Sequence, residues 1–197
     1  MYKKYNISLI VTILFSLLIH TNNAIAKDCY EKSPNLINLK EKYYDIDTVK
    51  NLSDIEKTKL NNLFNRIKGE WEGESTYTEC SGPDSAPRKK SVHASISVKI
   101  KSNSNDNLLM VAKKSYLNNI IKYDGLELLG DLRIFEFNFL SDNNLVFSER
   151  ALKKNNNGST RNIETIYEIT LDGKSLIIVR NYYTNGVFVA EDKWSVN

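Results

Sequence analysis

Apolar and polar residues alternate along most of the chain after residue 70, as expected for strands that bury one face. The alternation is clearest over residues 92–100, 135–139 and 163–171. Further strands are predicted around residues 70–80, 107–116, 119–124, 144–152, 175–183 and 187–196. Short turns rich in Asn, Asp and Gly separate these runs. The pattern therefore predicts a mainly β fold: an antiparallel up-and-down β-barrel of about eight or nine strands, closed to avoid exposed edges.

A helix is predicted immediately before the strands. Ser53 and Glu56 have the spacing of a capping box, in which each side chain binds the other residue's backbone N–H. Apolar residues then follow at helical spacing, at Leu60, Leu63, Phe64 and Ile67. Gly69 marks the end of the helix. We expect this N-terminal α-helix to cover the barrel with its apolar stripe.

The last predicted hairpin has two alternative registers. A two-residue turn would place Glu191 and Lys193 on the apolar face of the sheet. A three-residue loop over residues 184–186 instead places there Phe188, Ala190, Asp192 and Trp194. The second register is favoured because it buries two aromatic side chains. It makes Arg180 and Asp192 diagonal neighbours on the inner face, where each charge needs the other.

The first 26 residues have the features of a cleavable signal peptide. Two lysines precede an apolar run over residues 7–19, and Ala24-Ile25-Ala26 provides a cleavage site with small residues. The run is too short to cross a hydrocarbon core of about 30 Å as a helix. The predicted organisation is a signal peptide over 1–26, a lead-in segment and helix over 27–68, and the barrel over 69–197. The mature protein is expected to be secreted or periplasmic, without a stable membrane span.

The chain has two cysteines, Cys29 and Cys80, and both remain after cleavage. An even number of cysteines in an exported protein indicates a disulfide rather than a metal site. Closing a loop of about fifty residues would stabilise the fold by about 4 kcal/mol in the chain-entropy model.

Charge and motifs exclude several functional classes. The chain has 27 Lys and Arg against 24 Asp and Glu, and removal of the signal peptide takes two lysines with it. The mature balance of 25 against 24 gives no basic footprint for nucleic acid. His93 is the one histidine left after cleavage, and it lies on the polar side of its strand. No catalytic residue, metal ligand or cofactor is predicted, which favours a protein that is not an enzyme.

Gly69-Glu70-Trp71, at the junction of helix and first strand, resembles the G-x-W signature of lipocalins. The resemblance covers residues 67–197 through this motif and the strand pattern. It implies a calycin-type barrel in which the tryptophan packs near the closed end, often under an arginine from the last strands. Arg180 is the counterpart that this resemblance suggests. The second lipocalin signature, Thr-Asp-Tyr near a later loop, is absent.

The predicted barrel is consistent with two kinds of binding protein. A carrier of a small apolar or lipid-like ligand would bind it in a lumen lined by Tyr77, Phe135, Phe137, Phe139, Phe147, Tyr167, Arg180 and Asp192. These aromatic residues are equally compatible with a filled core, because an eight-stranded barrel is only just wide enough for a ligand. A protein-binding or inhibitory module would act through its loops and have a packed interior. The oligomeric state is not predicted.

Overall fold

The protein is mainly β, with one helix and nine strands in the described part of the chain. The computed structural model describes residues 28–34, 52–102, 108–117, 120–128, 134–154 and 158–197. Helix α1 spans Asp54–Ile67, and the strands are β1 (Gly69–Ser81), β2 (Arg88–Ser102), β3 (Leu108–Ser115), β4 (Ile121–Leu128), β5 (Ile134–Ser141), β6 (Asn144–Lys154), β7 (Thr160–Asp172), β8 (Ser175–Thr184) and β9 (Val187–Val196). The predicted signal peptide and most of the lead-in segment lie outside the described residues.

Helix α1 begins and ends as its sequence predicts. The Ser53 hydroxyl accepts a hydrogen bond from the Glu56 N–H at 3.3 Å, and the Glu56 carboxylate accepts one from the Ser53 N–H at 2.9 Å. The apolar stripe is buried, at Leu60, Leu63, Phe64 and Ile67. Gly69 follows with a φ of +139°, which residues with a side chain rarely adopt, and the chain passes directly into β1.

All nine strands form one antiparallel sheet in the order β4-β3-β2-β1-β9-β8-β7-β6-β5. The first and last strands pair, with Ser75 opposite Trp194. Two series of consecutive hairpins, β1 to β4 and β5 to β9, therefore meet at the β1–β9 ladder. Antiparallel pairing throughout this order makes β4 and β5 run in the same direction. A ladder between them would be parallel, and such connections usually need about a dozen residues. Only positions 129–133 separate the two strands. The sheet is not closed in the described residues, and a barrel stays a prediction.

The sheet is strongly curled although it is not closed. Asp124 of β4 and Arg180 of β8 are five positions apart in the strand order, or about 24 Å in a flat sheet. Their side chains nevertheless meet, with Arg180 Nη2 2.6 Å from Asp124 Oδ2. The inner face is therefore concave, and side chains from distant strands contact one another across it. We call the space enclosed by this concave face the interior.

Helix α1 covers one end of the interior. Arg66 donates to Asn143 Oδ1 at 2.7 Å in the turn between β5 and β6, and Lys59 Nζ lies 3.9 Å from Asp142. We call the end of the interior that α1 covers the helix end, and β1 begins there. Because β3 runs parallel to β1 in the alternating sheet, the β3–β4 turn lies at the opposite end, which we call the far end.

The last hairpin differs from the predicted one. The turn has two residues, Asn185 and Gly186, both with positive φ, so the three-residue loop was wrong. A shift of register between Tyr182 and Tyr183 compensates for the shorter turn and returns Ala190, Asp192 and Trp194 to the inner face. Arg180 and Asp192 are consequently direct cross-strand partners rather than diagonal ones. Phe188, which was predicted on the inner face, is buried on the outer side of the sheet instead.

A short N-terminal segment, residues 28–34, covers Phe188 on the outer side of the sheet. Phe188 packs against Tyr183 and Ile166, and its N–H donates to the Glu31 carbonyl at 2.8 Å. Cys29 and Cys80 form the predicted disulfide, which attaches this segment to the end of β1. A disulfide indicates an oxidising, extracellular-type environment.

In the residues that the structure describes, no helix combines the length and the apolar character needed to cross a bilayer.

Candidate functional site

The interior changes in character along its length. Near the helix end it is apolar, and the buried stripe of α1 belongs there to one core with strand residues such as Ile100, Met110, Leu145, Ile169 and Val196. Toward the far end the inner positions of several strands are polar or charged instead. Buried inner residues of this kind are Ser75, Lys114, Thr165, Arg180 and Asp192. The interior therefore has an apolar core near the helix end and, adjoining it on the same concave face, a polar region that we call the polar half.

Four charged side chains meet in this polar half, and we call them the interior charge cluster: Lys114, Asp124, Arg180 and Asp192. Lys114 Nζ lies 3.0 Å from Asp192 Oδ2 and 3.6 Å from Asp124 Oδ2. Arg180 bonds to both carboxylates through Nη2. The four residues come from β3, β4, β8 and β9, so the cluster joins opposite walls of the curled sheet. Lys114, Arg180 and Asp192 are buried, whereas Asp124 is one-third exposed.

Asp192 is the centre of this cluster. It accepts hydrogen bonds from Lys114, from Arg180 and from the Trp194 indole N–H, the last at 3.1 Å. The Trp194 ring also lies beneath both cations, 4.8 Å from Arg180 Cζ and 5.2 Å from Lys114 Nζ. Such cation–π contacts add to the ionic stabilisation. Burial opposes the charge of Arg180, but Asp192 and Asp124 outweigh it and raise the pKa of the guanidinium.

Glu149 adds a titratable group to the polar half. Its Oε2 accepts a hydrogen bond from the Tyr167 hydroxyl at 3.2 Å, and Tyr167 is the cross-strand neighbour of Arg180. Its Oε1 is buried and has no hydrogen-bond partner among the described residues. Burial raises the pKa of Glu149 to about 7, against the opposing effect of the Tyr167 hydrogen bond. Burial likewise raises the pKa of the nearby Tyr182 to about 12.

This raised pKa predicts a pH-dependent stability. Between about pH 4.5 and pH 7 the unfolded chain releases the Glu149 proton while the folded protein retains it. Folding stability is therefore lost as pH rises through this window, by about 2–3 kcal/mol allowing for the partial exposure of the group. Glu149→Gln should remove this contribution, so its stability relative to wild type should improve from pH 4 to pH 8.

Urea unfolding at a series of pH values measures this effect. Glu72→Gln, which removes an exposed carboxylate on β1, is the matched control and should leave the pH dependence unchanged. A constant stability difference between wild type and Glu149→Gln over the whole range would contradict the prediction.

The aromatic residues predicted to line a lumen are distributed over the interior. Phe137, Phe147 and Tyr167 belong to the core that α1 covers, and Phe139 packs at its border. Phe147 stacks on Tyr167 with ring centroids 4.6 Å apart. Tyr77 is half-buried opposite Asp192, in the polar half. The side chain of Phe135 lies outside the described residues. Whether any of them binds a ligand stays a prediction.

Arg180 and Asp192 meet as the sequence predicted, but three members of the polar half were missed. Met110, Ala112 and Lys114 are alternate residues of β3 and share its inner face. This alternation is the signal that could have identified Lys114. Asp124 is opposite Ala112 in the β3–β4 ladder and belongs to a strand with a weak pattern. Glu149 likewise continues the inner positions of Leu145 and Phe147 on β6. In the described residues, no group of three or more His, Cys, Asp and Glu side chains is placed to hold a metal ion.

Comparison with known proteins gives no relative: no family model matches the chain, and the search of curated proteins found no similar sequence. The lipocalin resemblance therefore stays a prediction. In the structure, the Trp71 indole donates to the Ile67 carbonyl at 2.8 Å, at the junction of α1 and β1. The ring beneath Arg180 is that of Trp194.

Proposed function

We propose that this is an exported binding protein that takes up a small lipid-like molecule in the interior of its curled sheet. The apolar part of the ligand would contact the aromatic side chains of the interior, Phe137, Phe147 and Tyr167. Its polar head would lie at Glu149 and Arg180. Export rests on the signal-peptide features of residues 1–26, and the Cys29–Cys80 disulfide supports an oxidising compartment.

One observation supports the polar end of this site above all. Glu149 Oε1 and Arg180 Nε are both buried without a hydrogen-bond partner among the described residues. They lie on either side of Tyr167, which binds Glu149 and is paired with Arg180 across the β7–β8 ladder. An unsatisfied buried polar atom costs about 1–3 kcal/mol. A ligand head that both accepts and donates, such as an amide or a hydroxyl, would satisfy both atoms.

The composition of the interior charge cluster supports the same proposal. Buried ion pairs are seldom more stabilising than well-packed apolar residues of the same volume. Four charges that meet beside an apolar core are therefore a poor choice for stability alone. They do provide fixed polar groups at the border of an apolar surface, which is the usual composition of a small-molecule site.

The proposal is tested first by native mass spectrometry of protein purified from its own compartment. A co-purified small molecule of defined mass is the expected result. The alternative function, a protein-binding or inhibitory module acting through the loops, predicts the mass of the bare chain. That mass, combined with no saturable binding in the titration below, would reject the proposal.

The polar end is tested by titration with oleamide, which has an amide head on an apolar chain. Trp194 reports binding by fluorescence because its indole contacts the cluster, and Trp71→Phe removes the second indole. Saturable binding is expected, with an affinity about tenfold lower in Glu149→Ala and unchanged in the exposed control Glu72→Ala. Tenfold corresponds to the loss of one buried hydrogen bond, about 1.4 kcal/mol. Equal affinity of the two variants would exclude Glu149 from the site.

A further inference from the structure

Exposed large apolar side chains are concentrated on one hairpin. Seven such residues occur in the described part of the chain, and two of them, Ile55 and Leu140, lie on α1 and β5. The remaining five belong to β3, β4 and the turn between them, and we call them the β3–β4 lip: Val111, Leu117, Ile120, Ile121 and Tyr123. Scattered exposed apolar residues need no explanation, whereas a contiguous group indicates an interaction surface.

The ladder register places three of the lip residues, Val111, Ile121 and Tyr123, on one face of the hairpin. Lys113 is opposite Tyr123 and Ser115 is opposite Ile121, so these side chains share the outer face of the hairpin. Val111 is opposite Gly125, which has no side chain to cover it. Leu117 is fully exposed at the turn, which the Tyr116 N–H closes by donating to the Ile120 carbonyl at 3.1 Å. The lip therefore projects apolar groups from the far end of the molecule.

The charged residues from Lys113 to Tyr123 have one sign, and the adjoining Asp124 is paired with Lys114 and Arg180. Residues 113–123 include three lysines and no carboxylate. Lys114 points inward to Asp192. Lys113 is exposed on the face that carries Tyr123, whereas Lys122, opposite Lys114, is exposed on the other face of the hairpin near the turn. The Lys122 ammonium lies 5.7 Å from the Tyr116 ring. An exposed apolar tip with tyrosine and flanking lysines has the chemistry of groups that enter the interface of an anionic bilayer.

From this arrangement we propose that the β3–β4 lip docks the protein on the surface of an anionic lipid bilayer. Leu117, Ile120 and Tyr123 would enter the headgroup region, and Lys113 with Lys122 would contact lipid phosphates. A second copy of the chain is a less suitable occupant, since a symmetric contact would bring the lysines of two lips together. The proposal goes beyond the interior binding site and does not depend on it.

The apolar part is tested by co-sedimentation of the full mature chain with vesicles of equal parts phosphatidylglycerol and phosphatidylcholine. Wild type should bind them, and Leu117→Ser with Tyr123→Ser should lower the partition coefficient at least about tenfold, because both side chains lose their apolar contact. The matched control, Ile55→Ser with Leu140→Ser, removes two exposed apolar side chains elsewhere and should bind as wild type does. All these positions are exposed, so the thermal unfolding midpoint should be unchanged.

The charged part is tested with the same vesicles. Lys113→Gln with Lys122→Gln should weaken binding about fivefold per lysine, and added salt should reduce wild-type binding. Lys101→Gln with Lys174→Gln is the control for total charge and should change binding less than the lip variant. Binding to vesicles of phosphatidylcholine alone should be weaker than to the anionic mixture.

Two results would overturn the proposal. The first is vesicle binding that is absent in wild type or is the same in the lip and control variants. The second is a dimer, detected by light scattering without lipid, that Leu117→Ser with Tyr123→Ser dissociates. In that case the lip is an interface between copies of the chain.

Discussion

Replacing Asp192 with alanine is expected to destabilise the protein by about 3–5 kcal/mol. Asp192 is 3 % exposed and compensates two cations, with Lys114 Nζ at 3.0 Å and Arg180 Nη2 in direct contact. Its removal leaves Asp124 alone to neutralise both cations. Removing one partner of a buried ion pair typically costs this amount, because the remaining charge stays buried without compensation.

Urea unfolding at pH 7 measures the loss. Asp142→Ala is the matched control, because Asp142 is exposed and lies 3.9 Å from Lys59. An exposed ion pair of this kind contributes between about 0 and 1 kcal/mol. Losses of similar size in the two variants would contradict a central role for Asp192.

A double-mutant cycle shows whether the loss comes from uncompensated charge. The cycle combines the single variants Arg180→Met and Asp192→Leu, which together remove one charge of each sign and leave Lys114 paired with Asp124. The double variant should recover much of the stability that Asp192→Leu alone removes, since apolar groups of similar volume replace the pair. The cycle should therefore give a large coupling energy between the two residues. Additive effects would show that the two side chains act independently.

The sequence predicted the inner face of β8 and β9 because their apolar positions alternate regularly around Arg180 and Asp192. It did not predict their exact register, because a bulge on β9 opposite Tyr182 and Tyr183 has no signature in the local pattern. The inner face was right for Ala190, Asp192 and Trp194, whereas the turn and the inner placement of Phe188 were wrong. Regular alternation thus reports which side of a strand is buried, whereas the hydrogen-bond register depends on backbone irregularities.

Strand β4 shows why half of the interior charge cluster was missed. Its alternation is inverted: Ile121 and Tyr123 lie on the outer face, whereas Asp124 points into the interior. A charged residue on an inner position looks like a solvent-facing one when only the sequence is available. The contacts of Asp124 with Arg180 and of Lys114 with Asp192 also depend on the curling of the sheet across several strands. No local pattern encodes that curvature.

The aromatic residues illustrate a different limit. Phe137 and Phe147 were correctly expected on the inner face, and both are buried. Alternation cannot distinguish a side chain that lines a cavity from one that fills a core, because both are shielded from water. That distinction depends on where α1 packs, and the helix covers the end of the interior to which these residues belong.

The junction between β1 and β9 is expected to be the most sensitive point of the backbone. Gly73 lies opposite Val196, where the two hairpin series of the sheet meet. A Cβ atom on Gly73 would overlap the Ser195 carbonyl oxygen and lie 2.8 Å from Val196 Cα. Both are backbone atoms, so no change of rotamer relieves the clash. The strands would have to separate where they join the two halves of the sheet.

Gly73→Ala should therefore destabilise the protein by about 3 kcal/mol or more, at the upper end of overpacking effects. Gly125→Ala is the matched control, because Gly125 is also a strand glycine but a Cβ added there would meet no atom within 4 Å beyond its chain neighbours. It should change stability by no more than about 0.5 kcal/mol. Urea unfolding gives both values, and hydrogen exchange should show lost protection in β1 and β9 for Gly73→Ala. Equal effects of the two substitutions would mean that the strands at the junction separate at little cost.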